Sequence, residues 1–241
     1  DADTRAELAA VVAAAEAGDA AAHAALADRF AGNLDFGTAG LRGRIGGGTA
    51  RMNRVVVMRA AWGLGRYLLT EGVVSGIDPV RGVVIGFDGR HYSRQFAEDT
   101  AAVLTAMGIP VHVFDDVAPT PLTAFAITHL GAAAGVMVTA SHNPPQDNGY
   151  KVYMDSGAQI VPPWDIGIAA WIARAPALAD LTRMSPFDAA AAGLRCAVDD
   201  AVSTAYLDGV AAGCLHPGIG ARQPLRIVYT AMHGVGHHLT V

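Results

Sequence analysis

The spacing of apolar and polar residues changes along this chain, and each change marks an element. Residues 3–29 are alanine-rich, with Leu8, Val11, Val12 and Leu26 on a weak apolar face, which predicts one helix. Gly32-Asn33 and a glycine-dense segment, Phe36 to Gly48, follow. Asn53 can cap a helix over residues 54–70. Then short apolar runs alternate with helical spacing. GVVIGF (82–87), IPVHVF (109–114) and AGVMVT (134–139) read as buried strands. Between them lie a helix that Ser93 can cap, with Phe96, Val103, Leu104 and Met107 on one face, and a helix from Thr120 to residue 129. Gly108 and Gly131 stop these helices. YKVY (150–153) adds a strand, with Asn148-Gly149 as a turn at its entry. Strand–helix–strand–helix–strand with short links predicts an α/β fold with largely parallel pairing.

After residue 155 the pattern loosens. Helices are expected near 165–174 and 199–212, then a strand at PLRIVYT (224–230), where a second α/β unit should begin.

Composition narrows the function. Of the 241 residues, 52% are apolar and 16% charged, a core-forming composition. Lys+Arg is 17 and Asp+Glu 22, for a net charge of −5, with no basic stripe to suggest nucleic acid as a partner. An anionic substrate stays open, because a few local arginines override a mild global charge. Cys196 and Cys214 suit two reduced thiols in the cytoplasm better than a disulfide framework. No apolar run is long enough to span a membrane, and the N-terminus lacks a signal peptide's basic start.

The candidate chemistry gathers at three glycine- and proline-rich loops. Ser141 directly follows the third strand, and loops at the carboxyl ends of parallel strands are where α/β sheets place ligands. Pro144-Pro145 stiffen that loop. A serine hydrolase would need glycines on both sides of the nucleophile, and Thr139-Ala140-Ser141-His142-Asn143 has none. On an extended chain His142 would also point away from Ser141. Arg42 and Arg44 alternate with glycines, an arrangement that lets the backbone and a guanidinium fork approach phosphate. The plain alternative is a flexible linker with solvated arginines. Arg90, in Asp88-Gly89-Arg90, is carried to the same face by the first strand or is part of an ordinary turn. Lys151 can neutralise a phosphoryl group or move a proton; otherwise it is a solvated edge-strand lysine. A serine, three arginines and a lysine from independent loops point to phosphate more than to an ester or peptide.

TASHNPPQDNGYKVY (139–153) resembles the active-serine loop of the α-D-phosphohexomutases, the phosphoglucomutase/phosphomannomutase superfamily. FGTAGLRGRIGGGTARMNR resembles the N-terminal signature of its longer members, which include phosphopentomutases, and GFDGRHYS, APTPLTAFAI, GAQIVPP and YTAMHGVG follow in the family's order. The resemblance implies a three-layer αβα domain with a mixed, largely parallel sheet at 1–195 and the start of a similar second domain at 196–241. It implies a cytoplasmic phosphosugar mutase that works through a phosphoserine and a bisphosphate intermediate, with phosphopentomutase activity or a non-catalytic sugar-phosphate-binding module as alternatives. By position, Ser141 would carry the phosphoryl group, and His142, Lys151 and Arg42 would be catalytic. Arg44, Arg90, Asn143 and Thr38 would bind substrate or phosphate. One Mg²⁺ would be ligated by Ser141 through its phosphate, and a sugar bisphosphate would activate. The family's metal, sugar-recognition and distal phosphate loops belong to later domains, so these residues alone are expected to be inactive.

Overall fold

Gly18 and Asp19 divide the alanine-rich start of the chain. In the computed structural model, which describes residues 2–213 and 226–241, α1 spans Ala2–Glu16 and α2 Ala20–Phe30. The single helix expected over 3–29 is a helical hairpin. Gly18 adopts φ 90°, and the Asp19 side chain caps α2 by accepting the Ala21 and Ala22 N–H groups.

The glycine-dense segment is no linker. Leu41–Arg44 form β1, which runs antiparallel to β5 (Asp147–Met154). Asn53 caps α3 (Arg54–Tyr67) as expected, and its amide also donates to the Gly46 and Gly48 carbonyls at 3.0 and 2.8 Å. That ties the glycines to the helix start. α3 ends short of residue 70, in a π-helical turn at Leu68–Gly72.

The remaining strands are β2 (Val83–Phe87), β3 (Val111–Val113), β4 (Ala134–Val138) and β6 (Arg195–Ala197). The sheet order is β1-β5-β4-β2-β3-β6. β4, β2, β3 and β6 pair in parallel, and β5 runs antiparallel to both β4 and β1, so the sheet is mixed. The chain has the expected α/β class.

Strand alternation sends two sets of side chains to two helical layers. Val83, Ile85, Val136, Val138, Tyr150 and Val152 face α3, α4 (Ser93–Ala106) and α6 (Trp164–Ala173). Val84, Met137 and Tyr153 face α5 (Thr120–Leu130) and α8 (Asp200–Ala212). α7 (Pro186–Ala191) leads into β6, and α9 (His237–Thr240) lies near the end of the chain.

Three local expectations are corrected. Ser93 is the first residue of α4, not its cap; Tyr92 holds the cap position at φ 66°. Asn148-Gly149 is not a turn but lies inside β5, paired with Gly43 and Arg42. A Cβ at Gly149 would approach the Thr139 and Leu41 carbonyl oxygens to 2.6 and 2.9 Å, so glycine is there for close strand packing. In the strand expected at 224–230, residues 226–230 are unpaired and Val228 is fully exposed. An apolar run becomes a strand only by pairing, and residues 226–230 pair with no strand among the described residues. Residues 224, 225 and Cys214 lie outside the described residues.

β6 pairs with β3, and Tyr206 of α8 packs edge-on against Phe125 of α5. The expected boundary at 195 thus falls on the first residue of β6. Among the described residues no helix is long and apolar enough to cross a membrane.

Candidate active site

Parallel β2 and β4 end at the same edge of the sheet, and their following loops meet there. A cavity of about 640 Å³ opens between them, lined by Asp88, Arg90, Thr139, Ser141 and Asn143. Thr120 and Pro121 at the start of α5 close one side, and Met232 to Gly236 another. The α5 N-terminus presents the positive end of its dipole to the cavity.

Ser141 sits at the turn of the serine loop with φ 57°, a left-handed conformation that costs a non-glycine residue about 1–2 kcal/mol. Local bonds hold it. Its N–H donates to Thr139 Oγ1 at 2.9 Å, and the Asn143 N–H donates to the Ala140 carbonyl at 3.0 Å. The left-handed turn also corrects the expectation that His142 points away. Ser141 Oγ lies 3.5 Å from His142 Nδ1, within reach but too long for a strong hydrogen bond.

Arg90 lies beneath this loop. Its Nη1 donates to the Pro144 and Asp147 carbonyls at 2.8 and 3.1 Å. Its Nη2 donates to the Ser141 and Asn143 carbonyls, both at 2.7 Å. Nε is 3.4 Å from Asp88 Oδ2. Asp88 also accepts the Arg90 N–H at 3.0 Å and the Ser93 hydroxyl at 2.7 Å.

Of the other candidates, Asn143 lines the cavity and links two elements. Its Oδ1 accepts from Arg42 Nη1 at 3.1 Å, and its Nδ2 donates to Asp147 Oδ2 at 2.9 Å. Arg42 therefore joins the serine loop from β1. Thr38, Arg42, Arg44, His142 and Lys151 do not line the cavity itself. Arg44 stands near Glu7 of α1, whose carboxyl is held below the ordinary carboxylate range by its bond to Arg29 and, in smaller part, by Arg44. Thr38 is exposed, and its carbonyl accepts from Gln159 Nε2 at 2.7 Å.

Lys151 is the only lysine in the chain. Burial lowers its pKa, the neighbouring Arg42 lowers it further, and Asp88 opposes both. Charging Lys151 therefore costs the fold stability in full below its folded-state pKa. The cost is relieved as pH rises from that value towards the ordinary one. Amine-selective labelling against pH, read at Lys151 by peptide mass spectrometry, follows this group directly. The expected midpoint lies below that of a free lysine and moves up in Arg42→Met. A midpoint at the free value would contradict the burial shown here.

Sequence reasoning missed Asp88, Thr139 and the segment Met232 to Gly236. The first two lie beside assigned residues, and Thr139 stands at the spacing from which a side-chain oxygen caps a following turn. The third belongs to a recognised motif, but only folding brings it to the serine loop.

A second cavity, about 660 Å³, lies between α1, α3 and α6, with Leu8, Leu34, Val55 and Ile172 among its walls. Its walls hold no serine, cysteine, lysine or histidine, so the serine cavity is the candidate active site. Among the described residues no group of three or more His, Cys, Asp or Glu side chains could hold a metal ion. Ser141 could contribute one phosphoryl oxygen to Mg²⁺, which takes about six oxygen ligands, but these residues alone do not make the site.

The fold and site define an α/β protein with a serine-bearing cleft at the carboxyl ends of its parallel strands. The phosphoglucomutase/phosphomannomutase alpha/beta/alpha domain I matches residues 33–177, and the chain belongs to that family. It is 37% identical over 221 residues to the phosphopentomutase of Homo sapiens, covering 86% of this chain and 34% of that protein. It is 36% identical over 224 residues to the glucose 1,6-bisphosphate synthase of Mus musculus, covering 88% and 34%. A crystal structure of a candidate phosphomannomutase from Thermus thermophilus matches with a TM-score of 0.59 at 31% identity, covering 75% of this chain and 36% of that one. The chain spans about a third of the length of the curated relatives it matches.

Proposed function

We propose that this chain is the phosphoserine-bearing part of a phosphosugar mutase, with Ser141 as the residue that carries the phosphoryl group. The observation behind this reading is the left-handed Ser141 on the cavity rim, held by Thr139 and Arg90, with Arg42 and Lys151 on the adjoining strands. In the first step the phosphorus–Oγ bond of phosphoserine breaks as a sugar hydroxyl oxygen bonds to phosphorus. The hydroxyl proton leaves to a base, for which Lys151 and His142 are the candidates, and the released Ser141 Oγ takes up a proton to become the free hydroxyl. The bisphosphate product reorients and returns its other phosphoryl group to Ser141. Such a transfer needs positioning and charge neutralisation more than new covalent chemistry. Arg42 supplies positive charge, as does Lys151 whenever it holds a proton, and Arg44, Asn143 and Thr38 remain proposed contacts for substrate or phosphate. When bound, Mg²⁺ would neutralise phosphoryl charge. A cytoplasmic location is part of the same proposal.

The relatives named for pentose and hexose phosphates put both on the test panel. The full-length protein, given Mg²⁺ and a trace of sugar bisphosphate, should convert one or more of ribose 1-phosphate, glucose 1-phosphate and mannose 1-phosphate. Mass spectrometry should find phosphate on Ser141. An active enzyme with its phosphate elsewhere would overturn the Ser141 assignment; a folded enzyme inactive on all three would leave sugar-phosphate binding as the better reading.

A further inference from the structure

We infer that Arg90 is a positioning residue, a clamp that shapes the Ser141 loop from beneath rather than a contact for substrate phosphate. The inference rests on the phosphoserine reading of Ser141. A guanidinium has five N–H groups. Here four donate to the carbonyls of Ser141, Asn143, Pro144 and Asp147, and the fifth faces Asp88. None is left for an incoming phosphate. The side chain is 14% exposed, and its charge is largely matched by Asp88, which is 11% exposed. Both features suit a structural anchor and not an anion receptor.

The clamp has a consequence for the reacting side. A trans peptide points its C=O and the following N–H in opposite directions. Drawing the Ser141 carbonyl down to Arg90 turns the His142 N–H away, and that N–H has no hydrogen-bond partner among the described residues. Pro144 and Pro145 carry no N–H to compete. Arg90 thereby fixes the left-handed Ser141 and frees one backbone donor beside its hydroxyl. Lysine cannot replace it, because a single ammonium has no planar fork with which to gather four carbonyls.

The test uses the full-length protein with Arg90→Lys and Arg90→Ala. Arg90→Lys should lower kcat by about 100-fold, the cost of a reacting group displaced by about 1 Å, with KM changed by less than about threefold. Amide exchange at Asn143 and Asp147, whose N–H groups donate to Ala140 and Pro144, should quicken by about tenfold or more while α4 stays protected. Added guanidinium ion should restore part of the kcat of Arg90→Ala. A raised KM with unchanged kcat and unchanged exchange would make Arg90 a substrate contact and overturn the clamp. Wild-type kinetics and exchange in Arg90→Lys would also overturn it. If the wild-type enzyme carries no phosphate on Ser141, the mutase reading fails on its own account, and the exchange data still decide the clamp. Should Arg90→Ala not fold, Arg90→Lys carries both readouts.

Discussion

Ser141→Ala is expected to reduce mutase turnover by about 10⁴-fold or more in the full-length protein, with stability almost unchanged. Removing a covalent nucleophile abolishes the route, not one contact on it, and each tenfold loss is about 1.4 kcal/mol of barrier. The prediction gains force from the backbone. Ser141 is held at φ 57°, where alanine is about as strained as serine, so Ser141→Ala deletes the hydroxyl and little else. Ser141→Gly deletes the same hydroxyl but removes the left-handed penalty, which should stabilise the loop by up to about 1 kcal/mol. Equal losses of turnover in both variants, with a higher melting temperature for the glycine, would assign the effect to the hydroxyl. Turnover within about tenfold of wild type in either variant would end the phosphoserine role.

Gly40→Ala should be among the most damaging single-methyl additions in the molecule, costing about 3 kcal/mol or more. Gly40 has φ 73°, and a Cβ there would overlap the Tyr150 carbonyl oxygen, with the carbonyl carbon at 2.9 Å and Lys151 Cα at 3.0 Å. These are backbone atoms of β5 and cannot rotate aside. The methyl can be accommodated only by lifting the start of β1 from β5. That withdraws Arg42 from Asn143 and changes the surroundings of Lys151. Gly76 provides the control, since it has φ 84° with nothing within 4 Å of its Cβ position. Gly76→Ala should cost only the conformational penalty, about 1 kcal/mol. Denaturant unfolding of both variants separates close packing from backbone preference, and turnover of Gly40→Ala shows whether β1 docking matters to the site. Equal costs at the two positions would show that β1 does not need the close approach.

The parallel core was legible in the sequence because its signals are local. Continuous apolar runs at 83–87 and 134–138 have the length and β-branched content of strands buried on both faces. Gly131 at φ 64° stops α5 where the helical pattern ends. The position of Ser141 immediately after β4 follows from the same pattern, and so does its exit at the ligand-binding edge.

What the pattern could not supply depends on contacts between distant segments. The glycines at 40 and 43 read locally as a linker, yet Gly43 is a residue of β1 paired with Asn148, and Gly40, just before β1, lies against the Tyr150 backbone. Asn148-Gly149 reads as a turn, yet pairing with β1 makes it strand. Arg90 reads as a free cation, and only the folded serine loop turns four carbonyls towards it. By itself, then, the sequence determined the α/β class, the buried strands and the serine at the end of one of them, since chain-local periodicity and sterics encode these. The tertiary structure alone decided that the glycine segment holds a strand, that Ser141 and His142 face each other, and that Arg90 is bound to the loop. Each of those depends on which distant backbone comes within hydrogen-bond or van der Waals reach.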